Sequence, residues 1–321
     1  MQLLFSGALP GKDDYRGVTA VLGVLDAESG EVIHRTEYRT PAGLRAPHQK
    51  MQFTGTALSD GRLYACCHTE VVWFDDWPAT EPAGRVSIPG FNDLHHAIPW
   101  GDGLAVANTG LETVDHVSLE GELLARWDLL DGFPDARAID PDTEYRRLDD
   151  TKPHLVHANH LFVRDGDLWI TQLRASRAVQ VEGDGQVNFT AGMPHDGRYI
   201  RDRLAFTTTN GHVVEVDPDS MAVIANHNLT RMTPGADVLG WCRGVCEDPR
   251  DQSSFFVAFS FPRPTRWREY AFRVKYRQER SPTRIASYDV GRGRMGESHE
   301  VTPEQNLILF QIDVLGEERW I

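Results

Sequence analysis

Short apolar runs separated by turn residues repeat along the whole chain. Gln2–Phe5, Val18–Leu25, Glu31–Tyr38, Arg62–Cys67 and Glu70–Phe74 have the length and composition of strands. Between such runs stand Ser59-Asp60-Gly61, Glu120-Gly121, Gly183-Asp184-Gly185 and Asn210-Gly211, residues that accept the left-handed backbone of tight turns. No stretch carries the period of a long amphipathic helix. The pattern predicts an all-β chain built from hairpins.

The hairpins group into units. Leu63, Leu104, Leu168 and Leu204 sit at the same point of a strand–turn–strand module, at separations of roughly 35–65 residues. One small antiparallel sheet cannot bury both its faces, but sheets arranged round an axis bury each other's, so this period predicts a β-propeller. Counting units gives six blades, with seven the alternative if Pro262–Val314 holds an additional sheet. The apolar run Leu307–Val314 lacks a nearby partner, and pairing it with the N-terminal strands closes the ring. Residues 1–321 are expected to form a single domain with insertions at about 129–153 and 262–280.

Charge and cysteine content narrow the class. With 33 basic against 47 acidic residues the net charge is −14, which argues against non-specific nucleic-acid binding. No run reaches the length of a membrane span, and Met1–Gly7 lacks the basic start and apolar stretch of a signal peptide. Cys66, Cys67, Cys242 and Cys246 read as buried free thiols, which places the expectation in a reducing cytoplasm.

Candidate chemistry centres on histidine. His154, His157 and His160 precede a strand–turn–strand run, and His95-His96 echoes it: His96 to Leu104 is the same spacing as His160 to Leu168. Aligned on their second strands, the units put His96 and His160 at equivalent positions, with His195-Asp196 within a residue and Arg243 comparably placed. Several blades would each offer one polar group to the axis. Neutral imidazoles are common metal ligands, so His96, His160 and His195 are expected to hold a divalent ion of unspecified identity, with Asp93, Asn159 or Asp196 orienting them. His157 and Arg243 are the candidate catalytic residues. Two alternatives stand beside this: a metal-free site with a histidine base and Arg243 binding an anion, and histidines that only hydrogen-bond carbonyls at strand ends.

Arg263, Arg266 and their neighbours make 262–280 a basic, aromatic-rich excursion. Arg243, Arg263 and Arg266 are the candidate substrate-binding residues, and the excursion is also a candidate protein-docking surface. The chain has no phosphate-binding glycine loop, no Gly-x-Ser-x-Gly elbow and no His-Glu-x-x-His.

Leu94–Asn108, His157–Gln172, Pro194–Asp217 (with Thr209-Asn210-Gly211-His212) and Trp241–Pro264 (with Cys242-Arg243-Gly244) resemble the six-bladed propellers of the gluconolactonase/strictosidine synthase/NHL group, and also uncharacterised bacterial propeller proteins. The resemblance implies a ring with an axial site. Gluconolactonase-type enzymes hold their metal through Glu, Asn and Asp, whereas the corresponding positions here are histidine-rich. The expected function is an enzyme of lyase, isomerase or hydrolase type acting on a small polar or anionic molecule. The alternative is a non-catalytic ligand-binding or protein-interaction propeller.

Overall fold

The computed structural model describes residues 1–11, 17–134, 136, 138–236, 238–261, 282–301 and 307–316. They form six antiparallel sheets of four strands each, arranged as a six-bladed β-propeller. Five blades are consecutive in the chain. Their inner strands are Gly55–Ser59, Leu94–Trp100, Ala158–Arg164, Arg198–Ile200 and Trp241–Glu247, in the second to sixth blades.

The first blade is composite. Its inner strand is Ile308–Leu315 from the C-terminal end, hydrogen-bonded to Gln2–Pro10, which is followed by Gly17–Asp26 and Val32–Tyr38. Leu307–Val314 thus closes the ring as its apolar pattern predicts, shifted by one residue. Among the described residues there are six blades and no seventh.

The packing explains why the period of the sequence specifies a ring. Six apolar clusters lie one between each pair of neighbouring blades. Leu4, Leu22, Phe53 and Phe74 join the first blade to the second. Phe162, Trp169, Leu204 and Phe206 join the fourth to the fifth. Phe5 and Leu309 meet Phe256 and Ile285 where the ring closes. Each fully buried Phe or Leu contributes about 1.5–3 kcal/mol, and no blade can gain it without its neighbours.

The outermost strands lie at the rim. Leu123–Asp128 and Arg294–Glu300 are mostly exposed or half-buried; the first follows the Glu120-Gly121 turn that marks it in the sequence, and the second has no such mark. Within the stretch 129–153 the described residues contain one 3-10 turn, Tyr145–Arg147, and otherwise no helix or strand. Among the described residues the only α-helix is the single turn Leu229–Met232, and no helix is long and apolar enough to cross a membrane. The four cysteines are buried and unpaired.

Candidate active site

The inner strands start at one end of the ring, here called the upper mouth. Near that end four inner strands carry a β-bulge, between Leu94 and His96, Ala158 and His160, Cys242 and Val245, and Leu309 and Gln311. In the fifth blade Pro194 to Arg198 advances four residues while its partner goes from Thr208 to Ala205, three, so it too holds one extra. The second blade has none. Bulges re-aim side chains and recur beside functional sites.

The bulges sort the axial residues into two levels. Register places Thr56, His96, His160 and Gln311 opposite Ala65, Ala107, Thr171 and Ser6, and Asp196 and Gly244 occupy the same level in their blades. One step nearer the mouth come the bulge residues His95, Asn159, His195, Arg243 and Phe310. Two glycines permit this crowding. A Cβ on Gly55 would stand 2.4 Å from the His95 carbonyl oxygen, and Gly244 (φ +78°) lies against the backbone of Gln311 and Ile312.

The lower level is a stapled polar ring. The Gln311 side-chain amide accepts from Thr56 N–H (3.0 Å) and donates to Thr56 O (2.8 Å). His96 accepts from Leu161 N–H at Nδ1 (3.1 Å), so its proton sits on Nε2 and donates to Thr56 O (3.1 Å). One imidazole thereby ties the second, third and fourth blades together. His160 stacks on His96, with centroids 3.8 Å apart and planes 19° from parallel. The Asp196 carboxylate accepts from Gly244 N–H (2.8 Å) and Thr207 Oγ1 (2.5 Å).

At the upper level His195 Nδ1 lies 3.1 Å from Asp196 Oδ1. The anchored carboxylate accepts a hydrogen bond from Nδ1–H, which leaves Nε2 with its lone pair. Arg243, in the next blade, has its guanidinium carbon 4.8 Å from the Trp241 ring and 4.5 Å from the Phe310 ring, a cation held between two aromatic faces. His95 donates from Nδ1 to the Asp93 carbonyl oxygen (2.9 Å), so its Nε2 is likewise bare.

His157 comes from the loop that enters the fourth blade, and its backbone is left-handed (φ +55°). Such strain persists only where the surroundings enforce it. Here Glu112 enforces it: its carboxylate accepts from the N–H groups of Leu155 (2.8 Å), Val156 (2.6 Å) and His157 (2.8 Å). A chain of bonds then sets the proton positions. Thr151 Oγ1 spends its proton on Gly110 O (2.5 Å), so it accepts from His154 Nε2 (3.4 Å), and His154 Nδ1 accepts from His157 Nδ1 (3.0 Å). The His157 ring meets His95 edge-on at 4.9 Å. His95, His157 and His195 therefore all present Nε2 as a base.

Burial is the main force on these groups. It pushes His95 down to about 3 and His96 down to about 4. His157 and His160 fall well below the ordinary imidazole value through burial, with neighbouring histidines adding to it. His195 falls too, through burial and the Arg243 charge, against the pull of Asp196. Asp93 is buried, but Lys50 and His68 outweigh that burial and hold its carboxyl well below the usual range; His68 Nδ1 is 3.3 Å away. The mouth thus pairs neutral imidazoles with a small number of fixed charges.

The predicted residues divide accordingly. The structure brings His157, His195 and Arg243 to the mouth. It does not gather His96, His160 and His195 as one ligand set: His195 lies a level above the other two, and His96 has both nitrogens in hydrogen bonds to backbone. Those residues do not fit a shared ion. Among the described residues no three His, Cys, Asp or Glu side chains are arranged to hold a metal. Of the expected orienting residues, Asp196 backs His195 through its carboxylate and Asp93 backs His95 through its carbonyl. Asn159 backs neither histidine and reaches towards Pro194 O (3.5 Å). Arg263, Arg266 and the excursion 262–280 lie outside the described residues, apart from which Phe261 and Pro282 flank them. Glu112 and His154 were not expected. The positive φ of Glu112 (57°) and of His157 (55°) has no mark in the sequence.

No protein-family model matches the sequence, and no curated protein does. Solved structures do match. A protein of unknown function from Bacteroides caccae aligns with a TM-score of 0.61 at 11% identity, over 97% of each chain. A chain of the nidogen/laminin complex aligns at 0.55 and 11%, again over 97% of each. A Bacteroides fragilis protein provisionally assigned as a 6-phosphogluconolactonase aligns at 0.51 and 10%, over 96% of this chain and 87% of that one. At such identities the likeness establishes the propeller fold and nothing finer, so the gluconolactonase/NHL grouping stays a resemblance.

Proposed function

We propose that this propeller is an enzyme that binds a small anionic molecule at the upper mouth and removes a proton from it, chemistry of the lyase, isomerase or hydrolase kind. The observation that carries the reading is His195 backed by the anchored Asp196 beside the aromatic-clamped Arg243. Arg243 binds the anionic group. His195 Nε2 takes the proton, and Asp196 stabilises the imidazolium that results. His157 Nε2 accepts a hydrogen bond from a polar substrate group, with Glu112 and His154 holding it in place. Mobile side chains would make a poor base here, and the bonds to Thr207 and Gly244 remove that freedom.

The test uses the full chain and a panel of small hydroxy acids, sugar acids and sugar phosphates in heavy water. Solvent deuterium entering a bound panel member, read by NMR, is the expected result. His195→Gln should bind the same compound without exchange, and Arg243→Ala should lose binding. Exchange at the wild-type rate in His195→Gln would sink the proposal. Binding without exchange or turnover in the wild-type protein would replace it with the non-catalytic ligand-binding reading.

A further inference from the structure

Below the stapled ring lies a cavity of about 110 Å³, lined at its upper end by Thr56, His96 and His160. We infer that this cavity is a second ligand site, separate from the upper mouth, for a small neutral molecule with one hydroxyl or amide group and an apolar body.

Three observations carry the inference. The first is His160, which lines the cavity and is 6% exposed, yet neither of its nitrogens has a hydrogen-bond partner in the protein. A buried imidazole offers one N–H and one lone pair, and leaving both unmade is costly. Its neighbour cannot help, because His96 has already committed both nitrogens. A hydroxyl or amide group can donate or accept, so it meets whichever of these nitrogens faces the cavity.

The second is charge. The charged residues on the cavity wall are Arg198, Asp313 and Glu247: Arg198 bonds Asp313 and donates to Ile312 O (3.1 Å), and Glu247 lies 3.8 Å from Arg201. Each charge on the wall thus already has an opposite partner. A neutral ligand is favoured, since an ion would leave its charge uncompensated.

The third is size and lining. Leu58, Ile98, Phe162 and Val314 give the cavity an apolar lining beyond the polar ring. Cavities of about 150 Å³ accept benzene, so this one suits a body of roughly four to six heavy atoms. Ligands of that size bind at about millimolar strength.

The site does not depend on the reaction proposed above. The test probe is n-butanol, titrated into full-length protein with ¹⁵N-labelled histidine, with acetate as the charged control. The expected result is a saturable change in the His160 ring signals at millimolar butanol, little change at His195, and no response to acetate. His160→Phe, which fills the space, should abolish saturation, and His160→Gln, which restores a donor and an acceptor, should keep it. A linear, unsaturable drift in the wild-type protein would overturn the inference. So would equal binding in His160→Phe, or an equal response to acetate.

Discussion

His96 and His160 lie face to face at 3.8 Å on the same level of adjacent blades, and their chemical situations are opposite. His96 bonds Thr56 O and Leu161 N–H, whereas His160 bonds nothing in the protein. Replacing the first strands the buried Leu161 N–H and takes one of two donors from Thr56 O, and replacing the second removes an unmet need. His96→Ala is expected to cost about 2–4 kcal/mol, and His160→Phe to change stability by about 1 kcal/mol or less. Urea unfolding of the two variants decides it; equal losses would refute the distinction.

Glu112 offers a second prediction. Its carboxylate holds three consecutive amides, those of Leu155, Val156 and His157, and all three lie in the loop that presents His157. Glu112→Ala should cost about 2–4 kcal/mol, since bonds to a charged acceptor are among the stronger ones. Hydrogen exchange should then show lost protection at those three amides while the inner strand Ala158–Arg164 stays protected. Unchanged protection at residues 155–157 would mean that the loop holds itself.

These two sites also show how far the chain can be read. The ring is legible because turn residues punctuate short apolar runs at a repeating interval, and each run finds its partner in a neighbouring blade. The rim strand Arg294–Glu300 is not legible, because it faces solvent and carries no apolar alternation. Among the site residues, His195, Arg243 and His157 can be picked out by residue type and position. Their grouping cannot. Spacing to the second strand puts His195 within one residue of His96 and His160, and one residue is the distance between the two axial levels. A bulge adds one residue without a sequence signature, so adjacent residues such as His95 and His96 part company unseen. Glu112 acts across blades through backbone amides, which leave no pattern of residue types.

The buried imidazoles make stability depend on pH in a fixed direction. Unfolded, a histidine takes up its proton near pH 6.5. Folded, burial keeps His96 neutral down to about 4 and His95 down to about 3. Between those values the unfolded chain binds more protons, so stability is full above pH 6.5 and is lost as pH falls. Each of the two should cost roughly 2 kcal/mol by pH 5, and His154, His157, His160 and His195 shift in the same direction. Asp93 and Asp196, whose values are lowered, add a further loss only below the ordinary carboxylate range. Urea midpoints measured at pH 7.5 and pH 5 should therefore differ clearly. Matching midpoints would show that these rings are hydrated or paired in the folded protein.

Asp196→Asn tests the proposed base most directly. The Gly244 backbone N–H can only donate, and it points at Asp196 Oδ2 from 2.8 Å. Thr207 Oγ1 lies at the same oxygen. An asparagine must therefore turn its carbonyl oxygen towards Gly244 and its NH₂ towards His195 Nδ1. That NH₂ is a donor, so His195 must accept at Nδ1 and move its proton to Nε2. The fold is kept, but the nitrogen that faces the mouth is no longer a base. Proton abstraction should fall by about 10²–10⁴-fold with little change in ligand affinity. The ¹⁵N signals of the two His195 ring nitrogens should exchange their protonated and unprotonated signatures. A variant that keeps its Nδ1 proton and still loses activity would place the role of Asp196 in its charge, and one that keeps both would remove His195 from the chemistry.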